Sequence, residues 1–499
     1  MPLIKVSSDN APQRVLKAET GDNLLDKLSR HGFEIFAPCG GKGTCGKCRV
    51  WTRDHGTVFA CQTAITKDDE IVLPSLLEAS ILEFQHSLSY QYPVRPGPST
   101  QLSESPFGLA VDIGTTTIVM YFFDFRKESL VHISSMLNPQ QIYGADVISR
   151  INHCLQHDEG LKTLHRELIQ AMNHQIRVFL SEYDLTEKDI VKVSFTGNTT
   201  MLHFLLEEDP SPIAFAPYTP RFTAEQHRKG GDIGLASHEQ AFVKVLPSIS
   251  GYVGADIVAG LAALKPGEQI KTYLFIDLGT NGELVLVTPD KQLCCATAAG
   301  PAFEASNISC GMPAVKGAVS GYTQSGYQTI ANAPPMGLCG SGLMDVISVL
   351  LDAGKISPTG EMEDDFILAP AAESGSGENV VLTPADVREL QLAKAAVAAG
   401  INILLKFAGI EAKSVDAVYL AGGFGNYIKK ESAIRTGLVD KSYREKIIPI
   451  GNASGTGALT ALKSVDFDNR IKQLLEKMEY IELSSDPDFV TEYAMNMSF

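Results

Sequence analysis

Alternation of apolar and polar residues marks Leu3 to Ser7 and Arg14 to Glu19 as a pair of strands. Asp22 to Arg30 carries helical spacing, with Thr20 placed to cap its start and Gly32 to stop it. A glycine-rich loop follows, then a strand over Arg49–Thr52 and a closing strand over Asp69–Leu73, so residues 1–80 form one small domain. Trp51, the single tryptophan, is expected in its core. Residues 81–106 lose this periodicity. Pro93, Pro96, Pro98 and Pro106 among Ser and Gln predict an extended linker that lets the small domain move.

The remainder, 107–499, contains an internal repeat. Gly108–Asp124 (GLAVDIGTTTIVMYFFD) and Tyr273–Thr288 (YLFIDLGTNGELVLVT) each run an apolar strand into Asp-x-Gly-Thr and then into a second strand. Asp112 matches Asp277, Gly114 matches Gly279 and Thr115 matches Thr280, at a spacing of 165 residues. A period this long is a duplicated subdomain, not a solenoid. Each copy reads as a hairpin whose turn can cradle phosphate, through backbone N–H groups and the hydroxyls of Thr115, Thr116, Thr117 and Thr280. The carboxylates at the strand ends can hold Mg²⁺ through water. A further apolar strand runs into Gly422, Gly423, Phe424, Gly425 and Asn426, a backbone flat enough to lie against a nucleoside. Thr196–Met201 and Gly455–Gly457 read equally as hinge junctions or as helix-packing glycines. Ala299–Ser306 and Gly337–Asp345 read as glycine-rich turns opening into helices, which makes Glu304 and Ser341 candidate nucleotide neighbours.

Candidate redox chemistry sits in the small domain. Cys39, Cys45 and Cys48 crowd one glycine-rich loop with gaps of five and two residues, and Cys61 follows after twelve more. A [2Fe–2S] cluster takes four thiolates, and plant-type ferredoxins use a close variant of this spacing. Zinc also takes C-x2-C pairs, but usually as two close pairs. Strand–strand–helix–loop–strand around such a loop matches the β-grasp ferredoxin plan. The other five cysteines, Cys154, Cys294, Cys295, Cys310 and Cys339, read as reduced, buried thiols of a cytoplasmic protein. A net charge of −16 argues against a nucleic-acid partner. No uncharged apolar run approaches the roughly 20 residues that cross a bilayer, and no signal peptide is evident.

The order DIGTTT, DLGTNGE, LAGGFGN resembles the nucleotide-binding core of sugar kinases, actin and the seventy-kilodalton heat-shock chaperones. That resemblance implies a two-lobed, duplicated α/β ATPase: lobe one at 107–271, lobe two at 272–450, a return to lobe one at 451–480, and a tail. It implies ATP and Mg²⁺ between the lobes, Asp112 and Asp277 near the metal, Gly114–Thr117 and Gly279–Gly282 (Asn281 included) around the phosphates, and Gly422, Gly423 and Asn426 at the nucleoside. With the cysteine domain, the whole chain resembles the reductive activators of corrinoid-dependent methyltransferases. The stretches that carry this are APCGGKGTCGKCRV, NPQQIYGADVISRI, FTGNTTM, SGYVGADIVAGL, AGPAFE, CGSGLMD and YIELSSDPDF, beside the three above.

The family resemblance implies ATP-dependent one-electron reduction of inactive Co(II) corrinoid to Co(I). The implied partners are a corrinoid protein of a methyltransferase system and a low-potential electron donor. Described relatives carry a small middle domain that the short linker here is expected to lack, which leaves a homodimer open. Three rival readings stay in view: a small-molecule kinase of the sugar-kinase type, an activator of a radical dehydratase or aryl-CoA reductase, and a non-enzymatic iron–sulfur redox sensor.

Overall fold

The computed structural model describes all residues except 9–10, 32, 34, 36, 38–40, 42, 44–46, 74–88, 280 and 426. The chain falls into two compact units: Met1–Ser80 with Gln141–Asp146 and Glu304–Glu389, and Ile81–Gln140 with Val147–Phe303 and Leu390–Phe499.

In the first unit, β1 (Leu3–Ser8), β2 (Ala11–Lys17), β3 (Arg49–Thr52), β4 (Gly56–Phe59) and β5 (Asp69–Val72) form one sheet in the order β2-β1-β5-β3-β4. β1 and β5 run parallel, and the other pairs antiparallel. The helix Leu24–Arg30 turns Leu24, Leu25 and Leu28 onto Ile4, Val6, Val50 and Ile71. Its cap is Asn23, whose side chain accepts from the Asp26 N–H, and not Thr20; Gly32 lies outside the described residues. β4 was not expected from the pattern. Trp51 is 44 % exposed, because Val50 and Thr52 take the inward positions of β3. The expectation of a core tryptophan is therefore corrected.

Residues 304–389 group with this small domain through specific bonds. Lys47, next to Cys48, donates to the carbonyls of Ile308, Ser309 (3.2 Å) and Gly311 (2.7 Å). Arg49 pairs with Glu378 at 3.0 Å. Gly337–Asp345 does open into a helix, Gly340–Asp352, whereas Ala299–Ser306 remains a series of turns. Ala305 adopts the left-handed φ of 57°, which stops a helix there.

The second unit holds the repeat. β6 (Phe107–Ile113), β7 (Thr117–Asp124), β8 (Ser129–Leu137), β9 (Ile190–Gly197), β10 (Gln226–Lys229) and β11 (Phe242–Val245) form a sheet ordered β10-β11-β9-β6-β7-β8. β12 (Tyr273–Leu278), β13 (Gly282–Val287) and β14 (Gln292–Thr297) join Ala417–Ala421, Ile447–Gly451 and Met478–Tyr480 in a second sheet. Both contain the same five-strand arrangement, an antiparallel meander extended by two parallel strands.

Every residue of β9 is buried, as expected of a central strand covered on both faces. Its polar residues find partners there: Lys192 donates to the Pro96 carbonyl at 2.9 Å and Ser194 to the Ala458 carbonyl at 2.7 Å. Ala458 lies on the helix Ala453–Lys463, which packs against β6 and β9.

Part of the expected linker is not free. Arg95 exchanges backbone bonds with Lys463 and Val465, Tyr90 donates to the Ala263 carbonyl at 2.9 Å, and Tyr92 packs edge-on against Phe467. Proline-fixed extended backbone suits such strand-like bridging as well as it suits a tether. Residues 89–106 are thus bonded to the second unit, and 81–88 lie outside the described residues.

Among the described residues one helix, Pro384–Ala408, is by length and composition able to cross a membrane, but it carries Lys394 and Lys406, and 78% of its apolar window is buried inside the protein, as in a core helix. A Cβ on Gly400 would come within 2.6 Å of Leu284 and 2.7 Å of Thr297, so this helix lies close against β13 and β14.

Candidate functional site

The two hairpins end their first strands with acids that face one another electrostatically. Asp277 is pushed up to about 7 by removal from bulk water and then by the charge of Asp112. Asp256, from the helix Ala255–Ala263, is pushed up to about 8 by the same desolvation, then by Asp277 and Asp112. Glu283, the second residue of β13, is raised well above its ordinary range by desolvation, Asp256 and Asp277, although the Asn281 side chain bonds to it. Asp112 is raised by desolvation and opposed by two bonds: Ser454 Oγ donates to Oδ1 at 2.7 Å and Asn452 Nδ2 to Oδ2 at 3.0 Å.

Asn452 is itself fixed, because its Oδ1 caps the helix Ala453–Lys463 at the Gly455 N–H (2.7 Å). Four desolvated carboxyls, three of them raised further by the charge of a neighbour in the group, are a place where positive charge is wanted.

Glycines bring these acids together. Gly422 has a φ of +84°, and a Cβ there would lie 2.5 Å from Asp277 Oδ1. A Cβ on Gly254 would lie 2.8 Å from Asp256 Oδ1 and 2.7 Å from the Gly197 carbonyl, and one on Gly197 would lie 2.4 Å from the Ile113 carbonyl. At Gly455 and Gly457 an added Cβ would strike Tyr121 Oη and the Ala259 carbonyl, each at 2.3 Å. Those two glycines are therefore close-packing positions.

The hairpin turns differ in detail. Gly114 N–H donates to the Thr117 carbonyl, whereas Gly279 N–H donates to that of Asn281. A Cβ on Gly114 would meet the Thr117 carbonyl at 2.7 Å, so the turn itself requires glycine. In front of Gly279 the nearest atom would be 3.9 Å away, room that a phosphate could use. Gly282 would meet Thr297 Oγ1 at 2.6 Å and is a packing position.

Thr115, Thr116 and Thr117 lie at the first turn, while Thr280 and Asn426 fall outside the described residues. Gly423 lies in the short helix Gly422–Gly425. Glu304 and Ser341 belong to the first unit. Ser341 is 5 % exposed and its hydroxyl donates to the Ser320 carbonyl at 2.9 Å.

Of the cysteine set, Cys39 and Cys45 lie outside the described residues. Cys48 is buried, and its Sγ accepts the Cys61 N–H at 3.4 Å. Asn23 anchors Cys61 by donating to its carbonyl at 2.8 Å. A Cβ on Gly41, which has a φ of +77°, would lie 3.8 Å from Cys61 Cβ, so Gly41 packs close to Cys61. N–H donation to sulfur and a left-handed glycine loop are what a thiolate-held cluster requires. Cys48 and Cys61, the two cysteines of the set among the described residues, fit thiolate donors to such a group. Among the described residues no cysteine forms a disulfide; Cys154 and Cys310 are only partly buried, which corrects the expectation of burial for those two.

Sequence inspection passed over Asp256, Glu283, Asn452 and Ser454. Asp256 had a signal: it is the only charged residue between 250 and 264, in a run otherwise apolar and small. Asn452 and Ser454 carry no comparable mark, since their part depends on a contact with a residue 340 positions earlier.

The acid group makes a pH prediction. A carboxyl whose folded pKa is raised stabilises the fold fully below its unfolded pKa and loses that contribution as pH rises through the folded value. From Asp277 and Asp256, stability of the nucleotide-free protein is expected to fall from about pH 4 up to about 7 and 8 respectively, by at most about 1.4 kcal/mol per pH unit per group. At about 2–4 °C per kcal/mol this is visible in thermal unfolding. Asp277→Asn is expected to flatten the slope. A melting temperature independent of pH over that window in the parent would count against the grouping.

Comparison with known proteins agrees with this geometry. Residues 271–499 match the family described as the C-terminal domain of RACo, the ASKHA domain, and residues 107–266 match the RACo middle region. The matched middle region falls on the stretch read above as lobe one, and not on the short linker at 81–106. The corrinoid activation enzyme RamQ of Eubacterium limosum is 30% identical, over 95% of this chain and 96% of the relative. The [Co(II) methylated amine-specific corrinoid protein] reductase of Methanosarcina barkeri is 24% identical, over 70% of this chain and 68% of the relative. A solved structure described as a reductive activator for corrinoid, iron–sulfur protein superimposes with a TM-score of 0.74 at 29% identity, covering 99% of this chain and 98% of its own. A short match, 31% identical over 90 residues, links 14% of the chain to 22% of a component of the Na⁺-translocating NADH-quinone reductase from Pseudoalteromonas atlantica. An N-terminal ferredoxin-like domain followed by a duplicated ASKHA ATPase fold is the architecture of this protein, and the chain belongs to the RACo family of corrinoid activation enzymes.

Proposed function

We propose that this protein returns an oxidised corrinoid protein to service by one-electron reduction of Co(II) to Co(I), with ATP bound and hydrolysed in the duplicated fold. The observation that carries the reading is the convergence of Asp112 from the first repeat with Asp277 from the second, joined by Asp256 and Glu283. A [2Fe–2S] cluster, held by Cys39, Cys45, Cys48 and Cys61, would supply a one-electron carrier near −400 mV.

The chain's own residues do the rest. The Asn452 and Ser454 bonds favour an ionised, oriented Asp112. Asp112 and Asp277 would hold Mg²⁺, and Gly114–Thr117 with Gly279–Asn281 would receive the phosphates. Asp256, raised to about 8, is largely protonated at neutral pH in the nucleotide-free site; its ionised form, favoured by the positive charge of bound Mg²⁺, would then take a proton from attacking water. On this reading residues 1–80 carry the electron, and 107–499 carry ATP in lobes at 107–271 and 272–450 with a return at 451–480. Gly422, Gly423 and Asn426 border the nucleoside. A cytoplasmic location completes the proposal.

Delivery to a cobalt centre more negative than the carrier is uphill by about 2.3 kcal/mol per 100 mV. ATP-driven change meets that cost only by binding the two states of the acceptor differently. Mixing reduced protein with a Co(II) corrinoid protein is expected to give Co(I) absorption with MgATP and little without. Equal Co(I) in both arms would defeat the coupling, and none in either would return the redox-sensor reading. Phosphorylation of a sugar or carboxylic acid would revive the kinase.

A further inference from the structure

The first hairpin is held from behind by two buried side chains. Asn138, 1% exposed, donates through Nδ2 to the Gly114 carbonyl at 2.8 Å and through its backbone N–H to the Thr116 carbonyl at 2.8 Å. Arg150, fully buried on the helix Val147–Gln156, donates through Nη2 to the Thr115 carbonyl between them at 2.6 Å. Asn138 is locked in turn, since its Oδ1 accepts the Gln140 N–H at 3.0 Å. Gln140 Oε1 and Met201 Sδ lie 3.4 and 3.3 Å from Arg150 Nη1, which fixes the guanidinium. Burying an arginine is costly, and a short charge-assisted bond to a turn carbonyl is a specific use of it.

In a trans peptide the C=O of one residue and the N–H of the next point in opposite directions. Holding the Gly114 and Thr115 carbonyls against Asn138 and Arg150 therefore turns the Thr115 and Thr116 N–H groups to the opposite face of the turn. Successive N–H groups aimed one way make an anion-binding concavity.

We propose that Arg150 and Asn138 are positioning residues, which aim the Thr115 and Thr116 N–H groups at the polyphosphate of the nucleotide. The inference rests on the reading that this hairpin receives phosphate.

Calorimetry on the full-length, cluster-loaded protein tests it with two probes, MgATP and adenosine. Arg150→Met and Asn138→Ala are each expected to weaken MgATP binding about tenfold or more, with partial recovery in Arg150→Lys and unchanged adenosine affinity. A parent that binds MgATP no tighter than adenosine would refute the phosphate reading of the hairpin. A parent that prefers MgATP, with Arg150→Met and Asn138→Ala keeping that preference, would overturn the positioning role alone. Equal weakening of both probes would do the same, because general damage does not distinguish phosphate from nucleoside. If Arg150→Met fails to fold, Asn138→Ala and Arg150→Lys decide by the same ratio.

Discussion

Asp112→Asn is expected to lower MgATP hydrolysis at least about a hundredfold, the scale of losing a group that stabilises transition-state charge, while the visible spectrum of the cluster stays unchanged. The substitution fits the site. Asn452 cannot reverse its amide, because its Oδ1 caps Gly455. It therefore still needs an oxygen at the position of Asp112 Oδ2. The new amide nitrogen then faces Ser454, whose hydroxyl can accept as readily as it donates. Removing the charge also relieves Asp277 and Asp256, both of which Asp112 raises. The nucleotide-free variant should consequently melt higher than the parent at pH 8, and by less at pH 6. Activity falling while stability rises separates a functional acid from a structural one. A variant with parental turnover would remove Asp112 from the site, and Co(I) formation should track the hydrolysis loss.

Cys48→Ser is expected to reverse this pattern: iron content and Co(II) reduction drop to background, while MgATP binds within about twofold of the parent, well under the 1.4 kcal/mol of a tenfold change. Cys48 is 1 % exposed among Val50, Ala60 and Ile71, and its Sγ accepts the Cys61 N–H. A serine oxygen can take that bond but is a harder donor, matched less well to a cluster iron than thiolate. Cys310→Ser is the control. Its thiol is occupied by the backbone of residues 379 and 381, donating to the Asn379 carbonyl and accepting from Val381 N–H, and it lies in the loop that Lys47 grips. That variant should keep its iron. Full iron in Cys48→Ser would cancel the ligand assignment, and zinc in place of iron in the parent would restore the zinc reading.

Much of this molecule was legible along the chain. The Asp-x-Gly-Thr repeat announces two equivalent hairpins because a strand ending in an acid and a tight turn is a local pattern, and β6–β7 and β12–β13 form where it occurs. The cysteine spacing is local in the same sense. Trp51 shows the limit: alternation says that neighbours face opposite ways but not which way is in, and Val50 with Thr52 took the core. The linker shows another, since prolines specify extended backbone without saying whether it hangs free or bridges to Lys463 and Val465.

What remained for the fold to decide is a matter of long-range contact. Asp112 and Asp277 could be named as a pair from their matched positions, and Glu283 lies directly across the hairpin from Asp277, but Asp256 joins them only through the close glycine contacts at 197 and 254. Asn452 and Ser454 meet Asp112 because the helix Ala453–Lys463 returns to pack on β6 and β9. Arg150 is an ordinary helical arginine in sequence, and becomes a brace only where burial places it 2.6 Å from the Thr115 carbonyl. Local pattern follows from backbone geometry and side-chain period, which a few residues suffice to express. Charge coupling and buried hydrogen bonds depend on distance through space, which exists only once the chain has closed on itself.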